Sequence, residues 1–447
     1  MKKKMLMIAH HFLPYSPTYG QCARQVTLAQ HFKKFFDIKI LAAQSVNNFG
    51  YFGVDDLQNI PIEYVRDKNA YPKQFEVGFE GNLITKALKL MQQDGLLALL
   101  KKMFIFIKSK YEIDKYEYSF SRKASKRALR IIESDDIDCV LVIVPPYSAI
   151  VTIKSIRRRY PKMLIILDFQ DGWVVPELLK LNSLKAFRSR RIERKSIMQS
   201  NRIAFATPSM KSVYDEYYHI HIKTKLVLNG YVATSHDHVR ASKTDDGEIL
   251  RIGYFGKIHI GNKDYFRDVR KIFDYFDKSD HDFKKRFQFD IYGYFSGDYS
   301  QWIDRVPFNY LGVIDHNNVQ EKMSDYDFLM LFHSEEERAE EVLTGKVFEY
   351  LYAKRPVLVI GTKNMFDART LIEGNKLGVF IDIDNDHDMT TKLNYIHKLK
   401  KDDLMHEIYD QEYDVSQYDR KYINNLYAED ILQLCTKSLH IPSSIMI

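Results

Sequence analysis

Two glutamates flank the segment of the chain whose residue types and spacing are most informative about chemistry. Glu341 and Glu349 are separated by seven residues and bracket the run Thr344-Gly345-Lys346. If a helix begins near Thr344, its first N–H groups and its dipole form an anion site, to which Lys346 adds a positive charge. Glu349 would lie one turn inside that helix, where a carboxylate can bind a diol. This spacing fits a nucleoside diphosphate that carries a sugar.

The same residues also allow a simpler interpretation. Residues 335–341 form an acidic run, and an acidic surface loop followed by an ordinary surface helix would have this sequence too. The pattern alone therefore leaves both interpretations open. The helices and strands that position these residues are needed to decide between them.

Short apolar runs alternate with segments of helical periodicity along most of the chain. The predicted strands of the first half are 5–9, 38–42, 139–144, 164–167, 202–206 and 225–228, and those of the second half are 249–255, 287–293, 328–332 and 357–360. The predicted helices are 21–34, 123–134, 149–159, 210–218, 264–276, 319–324, 346–352 and 367–373. This alternation predicts an α/β protein with two doubly wound, Rossmann-like domains, in which ligands bind beyond the carboxyl ends of the strands.

The predicted organisation has four parts. They are an N-terminal domain (1–235) with an insertion at about 44–120, a linker (236–248), a C-terminal domain (249–402) and a helical tail (403–447) that packs across the domains. A central cleft between the two domains is the expected place for a ligand.

Composition excludes several classes of protein. The 447 residues are 45% hydrophobic, and 66 basic residues exceed 59 acidic ones by only seven, so neither a disordered chain nor a nucleic-acid-binding protein is indicated. The three cysteines are far apart and form no disulfide or zinc pattern, which favours a cytoplasmic protein without a structural zinc site. The sequence contains no apolar stretch long enough to span a bilayer.

One basic segment suggests a membrane surface. Residues 86–130 contain 12 basic and 4 acidic residues, and within them apolar runs alternate with lysines. The candidate membrane-facing or acceptor-facing residues are Lys101, Lys102, Phe104, Phe106 and Lys108. An interfacial helix on anionic lipid on the inner face of the plasma membrane is one interpretation, and an amphipathic helix packed on the sheet is the other.

The Glu-x7-Glu segment, followed by Ala353 and the strand after Pro356, resembles the retaining nucleotide-sugar glycosyltransferases of family 4, which have the GT-B fold. Other segments that resemble the family, in the expected order, are His11–Pro14 through Gly20, Arg24–Ala29, Asp168–Trp173, Thr207–Ser209, Leu228–Gly230 and Gly253–Lys257 followed by Lys263. Most of the chain is covered by this resemblance.

The resemblance implies a hexosyltransferase that moves a sugar from a nucleotide-diphosphate donor, expected to be a UDP-sugar, onto a hydroxyl of a glycan or lipid-linked acceptor. It implies retention of configuration, no metal or other cofactor, and a role in cell-surface polysaccharide synthesis. The implied catalytic residues are Glu341, Lys257, Lys263 and Asp171, and the implied donor-binding residues are Glu349, Thr344, Gly345, Lys346, Gly256 and Gly20. The N-terminal domain would bind the acceptor and the C-terminal domain the nucleotide sugar.

Two residues depart from the family pattern. Lys257 stands where relatives usually carry arginine, and Gln170 stands where they carry arginine or histidine. A point charge at Lys257 cannot clamp a phosphate bidentately as a guanidinium does. Two alternatives therefore remain open: a GT-B sugar-nucleotide epimerase, and a catalytically idle GT-B subunit that binds and activates a partner.

Overall fold

The structure is a computed structural model. It describes residues 2–16, 22–45, 57, 59–67, 113–114, 117–174, 184–233, 248–260, 267–297, 305–315, 318–332, 343–363 and 365–437. The chain divides into two compact units: the first comprises residues 1–206, 210–227 and 424–447, and the second comprises 207–209 and 228–423. Among the described residues, no helix is both long enough and apolar enough to cross a bilayer.

The first unit is built on a parallel sheet of seven strands. The strands are β1 (Lys3–Ala9), β2 (Phe36–Gln44), β3 (Ile62–Arg66), β4 (Cys139–Val144), β5 (Leu164–Phe169), β6 (Arg202–Phe205) and β7 (Thr224–Leu226). Their order in the sheet is β3-β2-β1-β4-β5-β6-β7. Every residue of β4 and β5 is buried, as expected for central strands covered on both faces.

Helices connect these strands. They are α1 (Ala23–Phe32), α2 (Arg122–Asp135), α3 (Val151–Arg159), α4 (Leu184–Gln199) and α5 (Pro208–Tyr218). A π-helical turn, Glu117–Ser121, precedes α2. The buried faces of α2 and α3 pack Ile131, Ile132, Ile153 and Ile156 into the core of this unit.

The second unit contains a parallel sheet of six strands: β8 (Leu250–Phe255), β10 (Phe287–Tyr292), β12 (Phe308–Gly312), β13 (Phe328–Phe332), β14 (Val357–Gly361) and β15 (Gly378–Asp382). Their order in the sheet is β12-β10-β8-β13-β14-β15. Two short strands, β9 (Ile258–Ile260) and β11 (Phe295–Gly297), follow β8 and β10 and pair with each other.

The helices of the second unit are α6 (Arg267–Lys278), α7 (His281–Lys284), α8 (Val319–Met323), α9 (Gly345–Tyr352), α10 (Phe366–Gly374) and α11 (Asp386–Lys401). The last described helix, α12 (Arg420–Lys437), begins in the second unit, and its residues from Asn424 onward belong to the first. The predicted tail is thus divided between the units, with its residues up to 423 in the second unit.

Several elements differ from the sequence-based expectation. Strand β3 lies within the supposed insertion at 44–120 and extends the first sheet by pairing with β2. Residues 403–419 contain short 3-10 turns at Met405–Glu407 and Ser416–Tyr418 and no α-helix, so helical periodicity overestimated the helix that begins at Arg420. The two units meet along the chain at residues 227 and 228, a few residues before the predicted boundary at 235.

Candidate functional site

Helix α9 begins at the run that the sequence singled out. Thr344 has extended backbone angles (φ −65°, ψ 150°), and Gly345 is the first helical residue. Burial of Val347, Phe348 and Leu351 against the second sheet fixes the helix in place. The Thr344 hydroxyl is buried and forms no hydrogen bond to any residue that the structure describes. The first turn therefore presents its N–H groups and the positive end of the helix dipole beside a polar oxygen.

Lys346 is anchored by a tyrosine from β8. Its Nζ donates a hydrogen bond of 2.6 Å to the Tyr254 hydroxyl and lies 4.5 Å from the centroid of the same ring. Tyr254 is itself buried, stacks on Phe332 at 4.3 Å and donates to the carbonyl oxygen of Lys257 at 3.2 Å. The ammonium group is thus held at the carboxyl end of β8 instead of moving freely in solvent.

Gly256 makes room for this ammonium group. A side chain at Gly256 would overlap Lys346 Nζ, so the lysine could keep this position only beside a glycine and would otherwise have to move aside. The Gly256 N–H donates to the carbonyl oxygen of Tyr292 at 2.8 Å, which ties the turn after β8 to the end of β10. Gly256, Lys346 and the start of α9 therefore lie together at the carboxyl edge of the second sheet.

A second tyrosine locks α9 to β8. The Tyr350 hydroxyl accepts a hydrogen bond of 3.1 Å from the Phe255 N–H, and burial raises the pKa of Tyr350 well above its ordinary value. Lys346 and Tyr350 are four residues apart, so they share the helix face that contacts β8. Gly345 and Glu349 share the neighbouring face, and Glu349 is partly exposed. Its carboxylate thus lies one turn inside the helix, at the predicted position.

Lys257 is placed differently from Lys346. It is exposed, and its Nζ stands 5.5 Å from the ring centroid of Tyr294, which is 58% exposed. The backbone of Lys257 contacts Tyr254, whereas its ammonium group lies over Tyr294. The structure therefore brings the Lys257 backbone to the site and leaves its charge on the exposed surface beside it.

In the first unit, Asp171 lies on the turn after β5. It is exposed, and the residues that follow it are buried. The Tyr147 hydroxyl donates to the carbonyl oxygen of Gly172 at 2.6 Å, and the Tyr147 and Trp173 rings stack at 5.2 Å. The backbone N–H of Trp173 donates to the Tyr214 hydroxyl at 2.8 Å. This turn holds Asp171 at the carboxyl edge of the first sheet.

A buried glutamate that the sequence does not mark as a site residue supports this turn. Glu193 accepts hydrogen bonds from Tyr214 (2.7 Å), from Tyr218 (2.8 Å) and from the Val174 N–H (3.0 Å). Burial, and then the charge of Glu193, raise the pKa of Tyr214 well above its ordinary value. No local pattern marks Glu193, because its partners come from a turn and a helix 19 to 25 residues away.

Asp168, the first aspartate of the same motif, is structural. Its carboxylate forms an ion pair of 3.0 Å with Arg24, which also donates to the carbonyl oxygen of Val227 at 2.7 Å. Burial raises the pKa of Asp168 above its ordinary value, although the charge and hydrogen bond of Arg24 act in the opposite direction. The two motif segments that contain Arg24 and Asp168 thus meet inside the first unit.

Several predicted site residues lie outside the described part of the chain. They are Gly20, Lys263, Glu341, Lys101, Lys102, Phe104, Phe106 and Lys108. Among the described residues, no group of three or more His, Cys, Asp or Glu side chains is arranged to hold a metal ion.

Comparison with known proteins gives similarity at the level of the fold. No family model and no curated protein sequence matches the chain. A crystal structure of HepE from Anabaena in complex with UDP superposes with a TM-score of 0.60 at 12% identity, covering 96% of this chain and 100% of that one. Other HepE structures contain UDP with glucose, or UDP-glucose.

Two further solved structures are similar over their full lengths. The lipopolysaccharide outer core galactosyltransferase WaaB gives a TM-score of 0.58 at 12% identity, covering 96% of this chain and 99% of that chain. Sucrose-phosphate synthase from Thermosynechococcus elongatus gives 0.56 at 10% identity, covering 98% and 100%. These neighbours are GT-B glycosyltransferases, and the expected GT-B α/β fold is confirmed for this chain.

Proposed function

We propose that the chain is a glycosyltransferase that moves a sugar from a nucleotide-diphosphate donor to a hydroxyl of an acceptor. The observation that carries the proposal is the arrangement at the start of α9. There, Lys346 Nζ is fixed 2.6 Å from the Tyr254 hydroxyl, beside Gly256 and the first turn of the helix. A cation and a helix N-terminus at one point are suited to a diphosphate.

The same groups suit the chemistry of sugar transfer. When the bond between the sugar and the phosphate breaks, negative charge grows on the departing diphosphate and positive charge develops on the sugar ring. A preorganised ammonium and helix N–H groups stabilise that growing negative charge, which lowers the barrier. In this proposal Lys346, Thr344 and Gly345 bind the diphosphate, and Gly256 lets it approach the backbone.

The other predicted roles extend this proposal. Glu349 binds the ribose diol, and Glu341 orients the sugar and opposes its positive charge. Lys257 and Lys263 add positive charge at the leaving phosphate. Lys257 would have to leave the Tyr294 ring, 5.5 Å away, to reach a phosphate, which a flexible four-carbon side chain allows.

The donor and the acceptor are proposed by class. A UDP-sugar is favoured because the HepE structures contain UDP and UDP-glucose. WaaB is a lipopolysaccharide outer core galactosyltransferase, and this supports a hexose as the transferred sugar and a glycan or lipid-linked acceptor in cell-surface polysaccharide synthesis. Asp171 and Gly20 would contact the acceptor in the first unit.

The finer points of the proposal rest on sequence resemblance. We propose retention of configuration as in family 4, a reaction without a metal, and a cytoplasmic protein that associates peripherally with the inner face of the plasma membrane. The membrane part depends on residues 96–110, which lie outside the described part of the chain.

Calorimetric titration of the protein with UDP and with UDP-hexoses tests the proposal. Lys346→Ala should weaken UDP binding about ten- to a hundredfold, because a charge-assisted hydrogen bond is worth about 1.5–3 kcal/mol. Lys398→Ala, which removes an exposed lysine of α11, serves as the matched control and should bind UDP normally. Equal affinity of the parent and Lys346→Ala for UDP would contradict the proposed phosphate site.

Turnover measurements separate this function from its alternatives. Transfer of the hexose to an added glycoside, followed by NMR of the new anomeric centre, supports a retaining transferase. Conversion of the UDP-hexose to its epimer without an acceptor would instead identify an epimerase. Tight UDP-hexose binding with neither reaction would identify an idle binding subunit.

A further inference from the structure

Basic residues are concentrated on three helices of the first unit. Helices α2, α3 and α4 contain 15 basic and 3 acidic residues, whereas the rest of the chain contains 51 basic and 56 acidic residues. Of the three acidic residues, Glu193 is buried, Asp135 forms an ion pair of 2.7 Å with Lys39, and Glu133 is exposed. The positive charge of the whole chain therefore comes from these helices.

The three helices cover one face of the first sheet. From β3 the chain crosses to β4 and then moves in the same direction through β5 to β6. Right-handed crossover connections that run in one direction place their helices on one face. Tyr160, at the end of α3, donates to the Leu129 carbonyl oxygen of α2 at 3.4 Å, and Arg157 of α3 donates to the Gln199 carbonyl oxygen of α4 at 2.6 Å. The helices thus form a continuous layer with one side towards solvent.

Many cations of this layer serve no contact within the fold. Seven exposed basic side chains form no hydrogen bond or ion pair with any residue that the structure describes. They are Lys126 and Arg130 of α2, Lys154 and Arg158 of α3, and Arg191, Arg194 and Lys195 of α4. Arg188 differs, because it is paired with the buried Glu117. Like charges so close together repel each other, and an anionic surface placed against them would relieve this repulsion.

Helix α4 adds apolar side chains to the charged layer. Phe187 and Met198 are 62% and 48% exposed. Residues separated by four, seven and eleven positions lie on one face of a helix, so Phe187, Arg191, Arg194 and Met198 form one stripe along α4. Ser196, on the opposite side of the helix, is buried. The solvent side of α4 therefore combines two large apolar groups with two guanidinium groups.

This combination fits the interface of an anionic bilayer. There, apolar side chains enter the boundary between headgroups and acyl chains, while arginine and lysine extend their charged ends to the phosphates. Each basic residue near such a surface strengthens binding about fivefold. A nucleic acid duplex would also neutralise the charges, but it would offer no apolar region to Phe187 and Met198. The stripe on α4 thus favours lipid.

We propose that the outward face of α2, α3 and α4 binds an anionic phospholipid surface, with Phe187 and Met198 inserted among the headgroups. The choice of a membrane as partner rests on the peripheral association in the proposed function, and the inference is independent of the nucleotide-sugar chemistry. It uses residues other than 96–110. Both sets of residues would contribute to one partition coefficient, so loss of either should lower it.

Co-sedimentation with vesicles of phosphatidylglycerol and phosphatidylcholine in equal parts tests the charges. The triple variant Arg191→Gln, Arg194→Gln and Lys195→Gln should lower the partition coefficient about a hundredfold. The double variant Arg191→Lys and Arg194→Lys retains the charges and should stay within about twofold of the parent. The matched control replaces three exposed lysines of the second unit by glutamine: Lys278, Lys285 and Lys398. It should also stay within about twofold, because distant charges are screened.

A fluorophore on α4 tests the orientation. The three native cysteines are buried, so a thiol introduced by Phe187→Cys can be labelled selectively. An environment-sensitive label there should emit at shorter wavelength on anionic vesicles, whereas the same label on Lys398→Cys should not shift. Phe187→Ser combined with Met198→Ser should lower the partition coefficient about tenfold. An unshifted label at Phe187→Cys on vesicle-bound protein would overturn the inference.

The outcomes separate this inference from the proposed function. Equal sedimentation of the parent and the triple variant would overturn the inference, as would a parent that binds RNA duplexes but no anionic vesicles at the same salt concentration. The triple variant should bind UDP as the parent does. A parent that sediments with vesicles but binds no UDP or UDP-hexose overturns the transferase function and leaves this inference standing. A parent that binds UDP but never sediments with anionic vesicles overturns this inference and leaves the transferase function standing.

Discussion

A side chain at Gly293 would overlap the backbone carbonyl group of Gly256. Gly293 has a φ of +121°, which side-chain-bearing residues rarely adopt, and its N–H donates to the carbonyl oxygen of Gly312 at 2.8 Å. The turns after β8 and β10 are therefore packed backbone to backbone, and this contact supports the turn that receives the Lys346 ammonium.

We expect Gly293→Ala to destabilise the protein by about 1–3 kcal/mol, because the overlapping atoms are backbone and cannot rotate away. It should also weaken UDP binding by displacing Gly256. Urea unfolding and calorimetry measure the two effects. Gly374→Ala, at the end of α10 where no atom lies within 4 Å of the added carbon, is the control and should change neither. Wild-type stability in Gly293→Ala would contradict the close packing of the turns.

The Tyr254 hydroxyl is expected to matter for binding more than for folding. Tyr254→Phe keeps the ring that faces Lys346 but removes the hydroxyl, so UDP affinity should fall about two- to tenfold, as for loss of one hydrogen bond. Calorimetry with UDP is the measurement. Tyr395→Phe removes the hydroxyl of a tyrosine on α11 that bonds Glu407, and it should bind UDP as the parent does. An unaltered affinity in Tyr254→Phe would mean that Lys346 needs no such anchor.

Glu349→Ala should weaken nucleotide binding with little loss of stability. A charge-assisted hydrogen bond to the ribose is worth about 1.5–3 kcal/mol, which corresponds to about ten- to a hundredfold in affinity. Comparison of UDP with 2′,3′-dideoxy-UDP identifies the ribose as the partner, because the variant should no longer discriminate between them. The control is Glu429→Ala, at an exposed position of α12. Retained discrimination by Glu349→Ala would rule out the ribose role.

Glu117 should make stability depend on pH in the acid range. Burial alone would raise its pKa, but hydrogen bonds from Arg188 (2.5 and 3.0 Å) and from the Ile113 N–H (2.9 Å) bring the pKa below its ordinary value. A lowered pKa in the folded state contributes stability that is present above the unfolded-state pKa and is lost as the pH falls through the folded-state pKa.

Glu117→Gln should therefore be less stable than the parent near neutral pH, by about 1.5–3 kcal/mol. The difference should shrink as the pH falls below about 4, where glutamate in the unfolded chain is protonated. Urea unfolding of both proteins across this range is the measurement. Glu429→Gln, which changes the charge of an exposed glutamate of α12 by the same amount, controls for net charge. A difference that grows towards acid pH would show that the ion pair does not stabilise the fold.

The predicted interfacial segment can be tested with vesicles. Replacing Phe104 and Phe106 by Ser, and Lys101, Lys102 and Lys108 by Glu, should abolish co-sedimentation with anionic vesicles, because both the apolar and the electrostatic attraction are lost. Raised salt should release the parent, since exposed charges are screened beyond about 8–10 Å. A parent that never sediments with anionic vesicles would contradict the peripheral membrane prediction.

The central strands were predictable from sequence, whereas three of the four edge strands of the two large sheets were not. The ranges 139–144 and 328–332 coincide with β4 and β13, because strands buried on both faces form continuous apolar runs. The strands missed in the two large sheets, β3, β12 and β15, are all edge strands. Strand β3 interleaves apolar and charged residues, and β12 exposes polar residues, so neither forms a continuous apolar run. The apolar run of β15 was obscured by the acidic residues that follow it.

The candidate site shows a similar division. Local spacing was sufficient to predict a helix that starts at Thr344-Gly345 with Lys346 at its first turn. The contacts that hold Lys346 come from Tyr254, which is 92 residues away, and no local pattern predicts such a partner. Arg188 is likewise paired with the buried Glu117, which lies 71 residues away and which no local pattern predicts as its partner.

The path of α12 has a consequence for vectorial synthesis of the protein. Three contacts of the first unit depend on this helix: Asn424 with the Thr27 carbonyl oxygen (3.4 Å), Tyr427 with the Phe32 ring (5.6 Å) and Asp430 with Arg202 (2.8 Å). On the ribosome, these three residues emerge only after nearly all of the second unit has been made. Until α12 docks, the nascent first unit therefore lacks the Tyr427 ring that packs against Phe32. Apolar surface exposed in this way makes the unfinished first unit a candidate client for chaperones.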